Sequence, residues 1–165
     1  MAIILPTISK KNRSHIYILA IILCLLSIAT PAWLANKCTL TNVYPTSSKP
    51  RLPDRVFGIV WTVLFTFMAI SLYLLLTSSL RDYYHPWNKV IIVLTMIGYV
   101  LNYAYIYAAG CKRDKTIARY ALIAYMTFLP LQILATFEVN ALAGILLAPV
   151  FGWVVYVSTL FEELT

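Results

Sequence analysis

"KPRLPDRVFGIVWTVLF", residues 49–65, starts as a cationic, proline-broken loop and turns into an unbroken apolar run with a tryptophan one turn inside it. Asp54, directly after Pro53, is the expected N-cap of the helix that follows. Trp61 then sits deeper than the interfacial belt where membrane tryptophans gather. Working outward, the run at 56–76 is one of five, the others lying at 16–35, 90–109, 117–136 and 141–161. Each holds about 20 residues, roughly 30 Å as a helix, which is the thickness of a bilayer's hydrocarbon core.

The chain of 165 residues is 61% hydrophobic and 12% charged, whereas an ordinary soluble domain is about half apolar and about a quarter charged. The excess apolar surface must face lipid, so the expected fold class is an all-α membrane protein, a five-transmembrane-helix bundle. Residues 1–15 form a basic N-terminal segment, 16–161 the membrane domain with a long loop at 36–55, and 162–165 a short tail. Only 137–140 separates the last two runs, which predicts an antiparallel hairpin. Pro86 marks the entry to the third helix, while Pro130 and Pro149 fall inside the fourth and fifth, where neighbouring helices can satisfy the carbonyls they free. Lys10, Lys11 and Arg13 ahead of the first run also fit a signal peptide with a cleavage region at 27–32; the length of the run favours an uncleaved anchor.

The net charge of +7 comes from cations between the apolar runs, where they meet lipid headgroups, so the charge does not point to nucleic acid. Eight cations (Lys37, Lys49, Arg51, Arg55, Lys112, Arg113, Lys115, Arg119) share the side of the first and third loops and the C-terminus, against five on the other side. That count predicts those loops in the cytosol, although the N-terminal cluster alone argues the reverse. Cys38 and Cys111 would then face one compartment and are able in principle to meet; as that compartment is the reducing cytosol, the expectation is three free thiols, Cys24 included.

No His, Cys, Asp or Glu lies in the sequence with metal-ligand spacing, and every carboxylate falls at a helix end or in a loop. No catalytic residue, metal or required cofactor is therefore expected, and ion or proton transport through the spans is disfavoured. The informative positions are aromatic and uncharged polar. Phe57, Trp61, Phe65, Met68 and Leu72 form one stripe on the second helix, Tyr99, Tyr103 and Tyr107 another on the third, and the fifth supplies Trp153 and Tyr156. Both stripes also fit plain helix packing. Asn102, an amide at membrane depth, needs a partner on another helix or a wet cavity. Gly144, Ala148 and Gly152 offer a face for close helix approach.

The opening stretch resembles the entrance to the second helix of the TspO/MBR family, the tryptophan-rich sensory and translocator proteins. Lys49, Pro50, Pro53, Phe57, Trp61 and Thr62 fit its pattern, as do "LNYAYIYAAG" at 101–110 and "LLAPVFGWVVYVSTL" at 146–160. Leu52, Tyr105, Val150 and Phe161 depart from it, and the cholesterol-recognition segment of animal members is missing. The resemblance implies a receptor or carrier whose bundle binds a planar hydrophobic ligand, a tetrapyrrole such as protoporphyrin or haem, or a sterol-like molecule. It implies a pocket of Trp61, Trp153, Asn102, Phe57, Phe65, Tyr105 and Pro149, under a lid and cationic rim of Lys49, Pro50, Arg51, Pro53 and Arg55. Members form homodimers and occupy mitochondrial or other organelle membranes, or the bacterial cell envelope. Two alternatives stand beside this reading: an assembly subunit whose pocket has degenerated, and a protein that degrades porphyrin in light.

Overall fold

The structure, a computed structural model, describes residues 10–38, 54–81 and 86–162. It contains five helices: α1 (Lys10–Lys37), α2 (Asp54–Arg81), α3 (Pro86–Ile106), α4 (Lys115–Val139) and α5 (Ala141–Glu162). Most overrun their apolar runs at one or both ends, because polar residues at headgroup depth can stay helical. Among the described residues there is no strand.

Among the described residues four helical segments are long and apolar enough to cross a membrane: Gly58–Ser78, Val90–Lys112, Lys115–Val139 and Ala141–Leu160. The expected fifth span is shorter. Among the described residues the apolar stretch of α1 is Ala20–Leu34, about 22 Å of helix, and Asn36 and Lys37 end it.

The helices pack in a ring in the order α1, α2, α5, α4, α3, with α3 returning to α1 through a thinner contact. Leu64, Met68, Leu122, Leu129, Val150 and Val154 fill its interior, while Ile18, Ile22, Leu25, Val100, Leu131, Leu134 and Ile145 are exposed, the pattern of a bundle immersed in lipid.

Polar cross-links to backbone carbonyls fix the rotation of α1, α2, α3 and α5. Ser71 Oγ donates to the Ala143 carbonyl at 2.8 Å, tying α2 to α5, and Cys24 Sγ donates to the Ala69 carbonyl at 3.2 Å, tying α1 to α2. Tyr103 Oη donates to the Ser27 carbonyl at 2.9 Å. That carbonyl is special. Pro31 lies four residues on, inside α1, and has no N–H to offer it. The tyrosine of α3 therefore supplies the bond that α1 cannot make for itself.

Two connections differ from the sequence expectation. The α4–α5 turn is not 137–140 but Asn140 alone. Its N–H donates to the Thr136 carbonyl at 2.9 Å, its Oδ1 accepts from the Ala143 N–H at 3.0 Å, and its Nδ2 donates to Ser78 Oγ at 2.9 Å. One residue thus ends a helix, caps the next and fastens both to α2. The third helix changes pitch, passing into a π-helical turn (Tyr107–Lys112) that Arg113 closes in the left-handed region at φ 55°. The turn buries Ala108, Ala109 and Gly110 and brings Cys111 against the end of α1.

There the expectation of free thiols fails. Cys38 and Cys111 form a disulfide with Cα atoms 4.6 Å apart across a sequence separation of 73; Cys24 is the free cysteine. Charge bears on the compartment the two cysteines share; the fold brings them within bonding reach. In the loop-entropy account a crosslink over that separation constrains the unfolded chain by about 4 kcal/mol.

The small residues of α5 separate by environment. A Cβ on Gly144 would lie 2.8 Å from Phe137 Cβ and 2.9 Å from Phe137 Cα, whereas one on Gly152 would meet nothing within 4 Å. Gly144→Ala should cost about 1–3 kcal/mol through forced backbone movement, and Gly152→Ala less than about 0.5 kcal/mol, as read by unfolding in detergent. Tyr103→Phe should cost about 1 kcal/mol by orphaning the Ser27 carbonyl. In a Pro31→Ala background, where α1 can satisfy that carbonyl itself, the same change should cost measurably less.

Candidate functional site

Five aromatic side chains from three helices meet on the inside of the ring. Trp61 stacks on Phe65 of the same helix at a centroid distance of 5.3 Å, one helical turn apart as the stripe predicts. Its indole meets Trp153 of α5 edge to face at 6.3 Å and 90°, and Tyr105 of α3 at 6.4 Å. Trp153 in turn contacts Tyr156 at 5.2 Å. Edge-to-face and offset contacts at these distances are the favoured geometries for rings whose faces are electron-rich and whose edges are positive.

The structure brings together four of the residues proposed from sequence: Trp61, Phe65, Tyr105 and Trp153. Tyr105 is 2% exposed and Phe65 7%, while Trp61 and Trp153 are only partly buried. Pro149 lies one turn before Trp153 on α5 and is exposed. Asn102, one turn before Tyr105 on α3, is fully buried. The lid residues Lys49, Pro50, Arg51 and Pro53 lie outside the described residues, as do the side chains of Arg55 and Phe57.

Next to the aromatic cluster runs a polar seam between α3 and α4, most of which the sequence reading missed. Asn102 Nδ2 points at Met68 Sδ, 3.7 Å away, a weak acceptor. Its Oδ1 has no hydrogen-bond partner, and it adjoins the Tyr125 hydroxyl without reaching hydrogen-bond geometry. The Oε1 of Gln132 and the Oγ1 of Thr136, on the same face of α4, are also buried without partners. The Gln132 amide occupies the space where a side chain at Gly98 would sit, so a Cβ there would have to displace the end of the Gln132 side chain. Gln132 was recognisable in the sequence by the signal that singled out Asn102, an amide in the middle of an apolar run. Tyr99, beside the seam, is by contrast well satisfied, its hydroxyl donating to the Met68 carbonyl at 2.8 Å.

An all-helical bundle with four membrane-length apolar helices and an aromatic cluster facing inward defines a polytopic membrane protein with its distinctive residues inside the bundle rather than on its surface. The TspO/MBR family matches residues 20–164, nearly the whole chain, and the protein belongs to that family. No curated protein matches it.

Because Asn102 makes only a weak bond to sulfur, it contributes little to holding the helices together. Asn102→Leu should leave stability within about 1 kcal/mol of wild type, since a shape-conserving apolar replacement also removes an unpaired acceptor. Tyr99→Phe, which removes a good buried bond, should cost about 1 kcal/mol. Denaturant unfolding of both variants in the same detergent gives the comparison.

Proposed function

We propose that this TspO/MBR protein is an integral membrane receptor or carrier for a planar hydrophobic ligand of the tetrapyrrole or sterol class, held against Trp61 and Trp153. The observation that carries the reading is the convergence of these two tryptophans, from α2 and α5, at 6.3 Å with Tyr105 beside them. Flat apolar faces converging inside a membrane bundle suit a macrocycle, and the cations of the first loop suit its carboxylates. Both tryptophans are partly buried rather than fully enclosed. In this reading α1 crosses the membrane too, with Tyr17 and Ile18 extending its exposed apolar face beyond Ala20. The protein then sits as a five-span protein in an organelle membrane or a bacterial envelope, and a homodimer is compatible with its exposed apolar surface.

One observation favours the alternative of a packing or assembly subunit. The rings touch one another, and Tyr105 and Val150, both departures from the family pattern, are almost wholly buried. A ligand must therefore part aromatic contacts, each worth about 0.5–1.5 kcal/mol beyond the area buried. Light-dependent porphyrin breakdown remains a variant of the first reading, since it would use the same two tryptophans.

Titration of protoporphyrin in nanodiscs, followed by quenching of tryptophan fluorescence, tests the proposal. Trp61→Ala and Trp153→Ala should each weaken binding about ten- to a hundredfold. Trp33→Ala should not, as Trp33 is 60% exposed near the end of α1. Unchanged affinity in folded Trp61→Ala and Trp153→Ala, or no saturable quenching in wild type, would assign the cluster to packing. Loss of porphyrin absorbance under light but not in darkness would mark the photochemical variant.

A further inference from the structure

The ring of helices is closed by sulfur. α1 and α3 share the thinnest neighbour contact in the ring, and the Cys38–Cys111 disulfide joins them where α1 ends and the π-helical turn begins to leave α3. Cys38 is 5% exposed, its N–H donates to the Leu34 carbonyl at 2.8 Å, and both cysteines pack in the apolar core. A Cα separation of 4.6 Å lies inside the range that native disulfides occupy. The third thiol does not compete for either partner, because Cys24 is some three to four turns away along α1 and already donates to Ala69.

We infer that the face carrying Cys38, Cys111 and the α3–α4 turn lies in an oxidising compartment, with the Lys10–Arg13 end of α1 in the cytosol, the reverse of the orientation predicted by counting cations. A disulfide persists in the extracellular space, a secretory lumen or a periplasm and is reduced in the cytosol. Charge around the first span is close to balanced, with Lys10, Lys11 and Arg13 before it and Lys37, Lys49, Arg51 and Arg55 spread over the long loop after it, so the disulfide decides the orientation. Lys112, Arg113 and Lys115 then form a cationic edge on the non-cytosolic face, beside the disulfide, where all three are exposed.

The chemistry requires a partner, a thiol–disulfide oxidoreductase of that compartment. The thiolate of one cysteine attacks the oxidoreductase disulfide and forms a mixed disulfide, and the thiolate of the second displaces it. One S–S bond forms in the protein and one breaks in the oxidant; the two electrons and two protons of the thiols end on the oxidant as a dithiol.

Sealed microsomes with the cytosolic face outward test the inference on the wild-type chain. They are treated with an impermeant phosphine reductant and a polyethylene-glycol maleimide, each adduct adding one step on a gel. The expected result is no adduct in sealed vesicles, one adduct (Cys24) in denaturing detergent without reductant, and three with reductant. A Cys38→Ser/Cys111→Ser double variant should give one adduct in denaturing detergent with or without reductant, assigning the other two. Two adducts in sealed vesicles, or three in detergent without reductant, would overturn the inference. The outcome is independent of ligand binding, so the failure of either proposal leaves the other standing.

Discussion

A backbone carbonyl inside a bilayer has no water to turn to, and the arrangement of this bundle follows from where its carbonyls find partners. Pro31 leaves the Ser27 carbonyl bare, and Tyr103 reaches across from α3 to meet it. Tyr99 does the same for Met68, Ser71 for Ala143 and Cys24 for Ala69. Each bond is modest, averaging well under 2 kcal/mol in membranes. Together they fix how α1, α2, α3 and α5 are turned about their own axes. With α2 held by α1, α3 and α5, Trp61 faces the interior, where Tyr105 and Trp153 meet it.

The parts of this architecture that depend on hydrophobic length were legible in the sequence. The apolar runs gave all five helices, Pro86 the start of α3, and the short polar gap the α4–α5 hairpin. The stripe Trp61, Phe65, Met68 and Leu72 gave the inward face of α2, because a 3.6-residue period needs no tertiary information. What escaped depends on which groups pair across space. Nothing local in "YAAGCK" marks a π-helical turn, and nothing in Phe137–Asn140 shows that the helix runs on to Val139. The disulfide is not legible in charge, which bears on compartment alone; the placement of the two Cα atoms together is a property of the fold.

The aromatic cluster and the polar seam divide the interior into two chemistries. The rings of Trp61, Tyr105, Trp153 and Tyr156 are mutually satisfied, and separating them has a cost that a flat ligand can offset by stacking. Asn102, Gln132 and Thr136 hold acceptors and hydroxyls that nothing among the described residues satisfies. An occupant polar at one edge would match both halves better than a pure hydrocarbon, because buried unpaired amides reward a partner. Asn140 adds a mechanical condition. A one-residue connector allows α4 and α5 little freedom to part, so widening of the interior falls to α1, α2 and α3.

The π-helical turn has a further effect on the clasp. A π turn accommodates one more residue than an α-helix of the same rise, and one residue is about 100° of rotation. The direction in which Cys111 leaves its helix is therefore set by backbone phase as much as by the identity of the residue. Removal of a single residue from Tyr107–Gly110 would keep both cysteines in the chain and swing one of them out of reach. In relatives of this protein the presence of two cysteines would thus be a poor guide to whether the ring is closed; the number of residues between the Tyr99 and Cys111 positions would be the better one.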